Sequence, residues 1–149
     1  MVTRILNVAL TLLGCFSIAQ AAFFAVPVSG AEVTREQARA AAHGLIASHP
    51  VGTSSELTVG GIRAIESSGG VFTIIADLFP QGFVVVSADT RLEPILAYNF
   101  SGTPPFRDLA YAPLLHLVLA DVSARLRMIK ERPAESRERV RRNERRWRS

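Results

Sequence analysis

The fold is decided by the stretch GFVVVSADTRLEPILAY, which occupies residues 82–98. Its apolar run 83–86 is followed by the polar residues 87–91, and a second apolar run occupies residues 95–98. Short runs of β-branched and aromatic residues that are bounded by turn formers are typical of strands. The stretch therefore predicts two neighbouring strands of a buried sheet, joined by a turn that carries charge.

Two earlier strands are predicted on the N-terminal side of this stretch, at residues 57–66 and 71–78. The first contains Gly60 and Gly61, and a pair of glycines inside a strand indicates a bulge or a turn. Short turns rich in Gly and Pro connect the strands, and strands joined in this way pair antiparallel. No segment with helical periodicity separates them, which argues against a parallel βαβ sheet.

Two helices are predicted to flank the sheet. Thr34 followed by Gln37 forms a capping box, and apolar residues then recur at helical spacing until Pro50 and Gly52 end the helix. A longer helix is predicted over residues 112–130, and Pro133 ends the segment. Its broad apolar face, which is expected to pack across the sheet, is formed by Leu114, Leu115, Leu117, Val118, Val122, Leu126 and Ile129. The predicted fold class is α+β: an antiparallel sheet of about four strands with an N-terminal helix and a longer, apolar C-terminal helix.

The N-terminus has the pattern of a secretory signal peptide. Arg4 precedes a short apolar run and small residues at an A-x-A site, which predicts a signal peptide over residues 1–21 with cleavage possible as late as residue 31. The alternative is an uncleaved anchor. With a cleaved signal, we expect a secreted or periplasmic protein with no stable membrane span, and a folded domain over residues 32–132.

Charge separates the last part of the chain from its body. From Arg125 onward there are 11 Lys/Arg and 4 Asp/Glu residues, whereas residues 22–124 carry 5 Arg and 9 Asp/Glu. Residues 133–149 could be a basic arm for nucleic acid or another anionic surface, or a solvated linker helix anchored by Trp147. We expect no nucleic-acid partner, because the signal peptide predicts export. The linker helix is favoured over a basic arm, because the segment carries charges of both signs.

The sequence does not predict a cysteine nucleophile or a histidine metal site. The single cysteine, Cys15, lies in the predicted signal peptide, so the processed chain would have no thiol nucleophile. His43, His49 and His116 fall at spacings that do not make a ligand set. We therefore expect no metal and no cofactor.

The polar turn of the central stretch does not match a catalytic motif. Ser87 is followed by Ala88 and Asp89 and lacks the Gly-x-Ser-x-Gly pattern of a nucleophile elbow. Asp89, Arg91 and Glu93 cluster beside the strands, but charged residues in such connections usually form turns. The expectation is a protein without enzymatic activity.

The central stretch resembles the signature of the streptopain-type prodomain, the inhibitory propeptide of the C10 cysteine peptidases, which also occurs as separate Spi-type protease inhibitors. The resemblance covers about residues 32–149, and its flanks agree in the order of helices, strands and loop. The signature positions are Gly82, Phe83, Val85, Ser87, Asp89, Arg91, Pro94, Ile95, Leu96 and Tyr98.

The resemblance implies an α+β domain that binds a streptopain-type cysteine peptidase and blocks its active-site cleft. The contact would fall to the loop before the second helix, here called the contact loop, residues 103–108. Its members are Thr103, Pro104, Pro105, Phe106, Arg107 and Asp108. In the family an Asn from this loop reaches into the cleft, and this chain has Asp108 as the nearest analogue.

Three functions remain open at this point. The chain could be a free inhibitor of such a peptidase. It could be a truncated prodomain that acts as a folding module for a peptidase whose catalytic domain is missing. It could also be an envelope-associated binding protein with a basic tail.

Overall fold

The computed structural model describes residues 30–49, 57–67, 70–102 and 112–149. In chain order the elements are α1 (Arg35–Ser48), β1 (Thr58–Ser67), β2 (Gly70–Phe79), β3 (Phe83–Ser87), β4 (Ile95–Asn99), α2 (Pro113–Glu131) and α3 (Pro133–Arg146). The predicted signal peptide and the contact loop lie outside the described residues.

The four strands form one antiparallel sheet in the order β1-β2-β3-β4. The register between β1 and β2 shifts between Val59 and Ile62, so of the two expectations for Gly60 and Gly61, a bulge or a turn, the structure has the bulge. Every residue of β3 is buried, as expected for a central strand whose two faces are both covered. Full burial of a valine side chain contributes about 1.5–3 kcal/mol, which makes β3 the centre of the fold's stability.

One face of the sheet is covered by α1. The helix begins with the capping box between Thr34 and Gln37, in which each side chain accepts a hydrogen bond from the other residue's backbone N–H. Ala38, Ala42 and Ile46 then follow at four-residue spacing and are buried. They pack with one set of alternating sheet residues, which includes Val84 and Val86 of β3 and Ile74, Ala76 and Leu78 of β2.

The opposite face is covered by α2, with a contribution from α3. Leu115, Val118, Val122 and Ile129 of α2 pack with Val140 of α3 against the other set of sheet residues, which includes Ile75, Phe83 and Val85. The α+β prediction is confirmed, with the four-stranded antiparallel sheet, the N-terminal helix and the longer C-terminal helix in place.

Two details differ from the sequence-based predictions. Leu114 and Leu117 were expected to pack across the sheet with the rest of α2, but they are 36% and 68% exposed. Pro133 ends α2 as predicted, but it also begins α3 after a break of one residue at Arg132. The last helix is not simply a solvated linker, because Ser136, Val140 and Asn143 are buried.

Candidate functional site

The signature turn, residues 87–94, leads from β3 to β4 and is held by its own polar groups. Ser87 Oγ accepts a hydrogen bond from Asp89 N–H (3.1 Å), and Asp89 Oδ1 accepts one from Arg91 N–H (2.9 Å). The Asp89 side chain thus bonds to the backbone two residues further on, as Asp does in an Asx turn. Ser87 N–H also donates to Pro94 O (2.9 Å), which closes the turn across its base.

An ion pair between Asp89 and Arg91 completes this turn. Arg91 Nη2 lies 2.6 Å from Asp89 Oδ2, and Arg91 Nε lies 2.9 Å from Asp89 Oδ1. These hydrogen bonds raise the pKa of the Arg91 guanidinium, and partial burial only partly opposes the rise. A group whose pKa is raised on folding stabilises the protein until the pH passes that pKa. The contribution from Arg91 is therefore present at neutral pH and is lost in strongly alkaline solution.

The segment before α1 covers one side of the signature turn. Glu32 forms an isolated antiparallel bridge with Asp89, and Val33 N–H donates to Ala88 O at 3.0 Å. Thr90 N–H donates to Ala31 O at 3.1 Å, and Thr90 Oγ1 accepts from Ala31 N–H at 3.1 Å. Residues 31–33 therefore act as a short additional strand that fixes the turn to the start of the domain.

Helix α3 holds the turn from the C-terminal side. Asn143 Nδ2 donates to Arg91 O at 2.8 Å, and Trp147 Nε1 donates to Leu92 O at 3.0 Å. Because both acceptors are backbone carbonyls, these bonds fix the path of the turn without depending on its side chains. The predicted role of Trp147 as an anchor is confirmed, whereas no sequence signal had pointed to Asn143.

These contacts give the signature turn a structural role. Ser87 is fully buried, and its hydroxyl donates to Asp89 O (3.0 Å). Of the other signature residues, Phe83 and Val85 are buried in the sheet, while Tyr98 is 46% exposed on β4. The structure brings the signature positions together as a scaffold, with the turn enclosed between residues 31–33 and α3.

The described residues that flank the contact loop are firmly placed. At its start, Asn99 Oδ1 accepts from Ser101 N–H at 2.9 Å, and Gly102 O accepts from Gly82 N–H at 2.9 Å. After the loop, Ala112 is fully buried and its carbonyl accepts from His116 N–H at 3.1 Å. The chain therefore leaves the sheet beside the β2–β3 turn and rejoins the core at the first turn of α2.

Three aromatic rings, those of His49, Tyr98 and Phe100, pack together at the end of β4, just before the contact loop. The His49 ring lies 5.3 Å from the Tyr98 ring and 5.6 Å from the Phe100 ring, measured between centroids. His49 Nδ1 is 3.0 Å from Leu45 O, which can only accept, so this contact assigns the proton of the neutral ring to Nδ1. His49 Nε2 then accepts from the Tyr98 hydroxyl at 3.2 Å. His49 thus connects the end of α1 to the edge strand β4, a role that its position in the sequence did not reveal.

The described part of the chain has neither a membrane-spanning helix nor a metal-binding cluster. Among residues 30–49, 57–67, 70–102 and 112–149, no helix is long and apolar enough to cross a bilayer. Within the same ranges, no three His, Cys, Asp or Glu side chains come together in a group that could hold a metal ion.

The fold is thus an α+β domain in which the polar signature turn between β3 and β4 serves as structural support for the sheet. A family model described as Spi protease inhibitor matches residues 30–123, more than half of the chain. This chain belongs to the Spi protease inhibitor family. No curated protein and no solved structure matches it. Family membership makes this a protease-inhibitor-like domain and implies a protease as its partner.

Proposed function

We propose that this chain is an exported, non-catalytic inhibitor that binds a C10-type, streptopain-like cysteine peptidase and occludes its active-site cleft. The observation that carries the proposal is the family match over residues 30–123, a range that contains the whole contact loop. The resemblance of residues 82–98 to the streptopain-type prodomain narrows the protease class. The signal-peptide pattern of residues 1–21 supports export.

The described frame around the contact loop suits a loop that binds a partner. A binding loop loses less conformational entropy on association when its ends are already fixed. Here the chain is tied through Gly102 to the β2–β3 turn directly before the loop, and it is fixed again at the buried Ala112, four residues after the loop. This arrangement supports residues 103–108 as the segment that enters the peptidase cleft.

Exposed apolar side chains at the start of α2, six and nine residues after the loop, extend this surface. Leu114 and Leu117 lie in the first turns of α2 and point away from the core. Apolar residues that are exposed in the free domain can be buried in an interface, where the central part is more apolar than the rim. We therefore include Leu114 and Leu117 in the proposed peptidase-contact surface.

Asp108 is the point at which this chain departs from the inhibitory pattern that the resemblance implies. An Asn amide can donate and accept hydrogen bonds, whereas an ionised Asp can only accept. Asp108 would therefore engage donors in the cleft, such as a protonated catalytic histidine. Inhibition by this chain should then depend on whether the catalytic histidine of the peptidase is protonated. Inhibition through an Asn should depend on it less.

The proposal is tested by substrate turnover. Adding the processed protein to a streptopain-type peptidase should slow hydrolysis at micromolar or lower concentration. Deleting residues 103–106, or the substitution Asp108→Ala, should weaken inhibition. The matched control is Asp121→Ala, because Asp121 is an exposed carboxylate of α2 that pairs with Arg125 at 2.8 Å. No inhibition by the unaltered protein, or an equal loss in the control, would overturn the proposal.

A folding module is the second candidate, because the same signature resembles a propeptide as well as a free inhibitor. A module of this kind would raise the yield of active peptidase when the peptidase is refolded in its presence. A free inhibitor would lower the activity of the mature enzyme without raising its refolding yield. Measuring both quantities with one preparation distinguishes the two functions.

A further inference from the structure

A cavity of about 530 Å³ lies where α2 ends, α3 begins and the signature turn passes beneath them. It is here called the α2–α3 cleft. Its apolar lining comes from Leu126, Ile129 and Pro133, and its polar lining comes from three cationic side chains, Arg91, Arg127 and Lys130. Its volume falls within the range of about 300–1,000 Å³ that is common for small-molecule sites.

The three cations differ in what they offer a ligand. The Arg91 guanidinium is bound to the Asp89 carboxylate at 2.6 Å, so its charge is already balanced. Arg127 and Lys130 are exposed, and neither forms an ion pair with any residue of the described part of the chain. The cleft thus has two positive charges that lack an ion-pair partner among the described residues, beside an apolar wall.

No carboxylate is among the described residues that line the cleft. The carbonyl end of α2 and the amide end of α3 meet at Arg132, so their opposite partial charges of about half a unit largely offset each other. Glu135 is 3.6 Å from Arg132, and Glu135 is not among the residues that line the cleft. Glu131 does not line it either.

We propose that the α2–α3 cleft binds a carboxylate carried on an apolar body. The two cations would hold the carboxylate, and Leu126, Ile129 and Pro133 would contact the apolar part. A small hydrophilic anion would gain nothing from the apolar wall, and a neutral apolar molecule would gain nothing from the cations. The same chemistry is present in a free amphipathic acid and in the C-terminus of a peptide with apolar side chains.

This site is separate from the proposed peptidase contact. Pro113, the first residue of α2 and five residues after the contact loop, and Leu126, in the cleft, are thirteen residues apart on one helix, a rise of roughly 20 Å. Loss of binding in the cleft would therefore leave inhibition through the loop intact, and the two proposals can fail independently.

The test is a calorimetric or NMR titration of the unaltered protein with octanoate, compared with acetate and with octanamide. A second arm uses the peptide acetyl-Ala-Leu-Leu with a free C-terminal carboxylate, compared with its C-terminal amide. We expect octanoate or the free-acid peptide to bind about tenfold or more tightly than its comparison compounds. The arm that binds identifies the source of the carboxylate.

Paired variants locate the binding. The double substitution Arg127→Gln and Lys130→Gln should weaken binding about tenfold or more. The control, Arg139→Gln with Arg142→Gln, removes two exposed cations of α3 that do not line the cleft and should change nothing. The proposal is overturned if neither carboxylate binds, if octanamide binds as well as octanoate, or if both double variants lose the same affinity.

Discussion

Gly82 sets the geometry beside the contact loop because its backbone has a positive φ of 108°. A Cβ atom there would lie 2.7 Å from Asn99 O. A side chain is therefore opposed by this close contact as well as by the positive φ. Its N–H donates to Gly102 O, the last described residue before the loop. One glycine thus joins the β2–β3 turn to the end of β4.

We predict that Gly82→Ala lowers the free energy of unfolding by about 1–3 kcal/mol, because the backbone conformation and the close carbonyl both oppose a side chain. The control is Gly44→Ala in α1, where an added Cβ meets no atom within 4 Å. That change should stabilise the protein by about 0.5–1 kcal/mol, since Ala favours a helix more than Gly does. Urea unfolding measures the free energy of unfolding of both variants. Equal changes in the two variants would contradict the special role of Gly82.

Asn143 is a second residue with a structural role, because it connects α3 to the signature turn. It is 2% exposed, its Nδ2 donates to Arg91 O, and its Oδ1 has no hydrogen-bond partner among the described residues. A buried acceptor without a partner costs about 1–3 kcal/mol, so the Nδ2 bond and the packing around it must outweigh that cost.

We predict that Asn143→Asp destabilises the protein by about 3 kcal/mol at neutral pH, because an ionised carboxylate cannot donate to Arg91 O. Burial should raise the pKa of the introduced carboxyl, and its protonated form can donate. The loss should therefore be smallest at acid pH and grow as the pH rises towards that pKa. Unfolding measurements at about pH 4 and about pH 7 test the sign, and a pH-independent loss would contradict it.

Helix α3 is the element that completes the structure beyond the family match, which ends at residue 123. Its buried stripe recurs at Ser136, Val140 and Asn143, and Trp147 follows one turn later. Val140 packs with the core under α2, whereas Trp147 packs with the core under α1. The helix therefore links the two faces of the sheet around the signature turn.

We predict that ending the chain after Arg132 lowers the free energy of unfolding by about 4 kcal/mol. Burial of Val140 contributes about 1.5–3 kcal/mol, and the two hydrogen bonds to the turn contribute about 1 kcal/mol each. The control, Arg137→Gln with Arg141→Gln, keeps the helix and should change stability by less than about 0.5 kcal/mol. Thermal and urea unfolding of both proteins decide whether α3 is integral or a detachable linker.

Local patterns in the sequence predicted most of these elements but not how the last helix docks. The capping box at Thr34, the bulge at Gly60 and Gly61 and the strand order follow from interactions between near neighbours, which a sequence displays directly. The docking of α3 depends on contacts such as Asn143 with Arg91, which are 52 residues apart. One valine, one asparagine and one tryptophan among many charges give too weak a periodicity to reveal a buried stripe.

The orientation of α2 was ambiguous for a related reason. Its apolar residues surround much of the helix, so periodicity alone could not decide which leucines face the sheet. The structure buries Leu115 and leaves Leu114 and Leu117 exposed. The contact loop itself remains a prediction, because its residues lie outside the described ranges.

For the whole molecule, substitutions of the exposed Leu114 and Leu117 can separate an effect on peptidase binding from an effect on folding stability. We predict that Leu114→Ser with Leu117→Ser weakens peptidase inhibition about tenfold while changing the free energy of unfolding by less than about 1 kcal/mol. Leu115→Ser, at a buried neighbouring position, should instead destabilise the domain by about 2–5 kcal/mol. Inhibition constants and unfolding curves for both variants check this separation. Unchanged inhibition by the double variant would remove these leucines from the interface.

The domain as a whole is a sheet covered on both faces, with a structural turn at one connection and the contact loop at another. The central claim is that the loop occupies the active-site cleft of a C10-type cysteine peptidase. The most direct measurement is calorimetric titration of the processed protein into such a peptidase, free and with its cleft blocked by a covalent cysteine-directed inhibitor. We predict binding to the free enzyme at micromolar or lower concentration and loss of binding to the blocked enzyme. Equal binding to both forms, or no binding to the free enzyme, would contradict the claim.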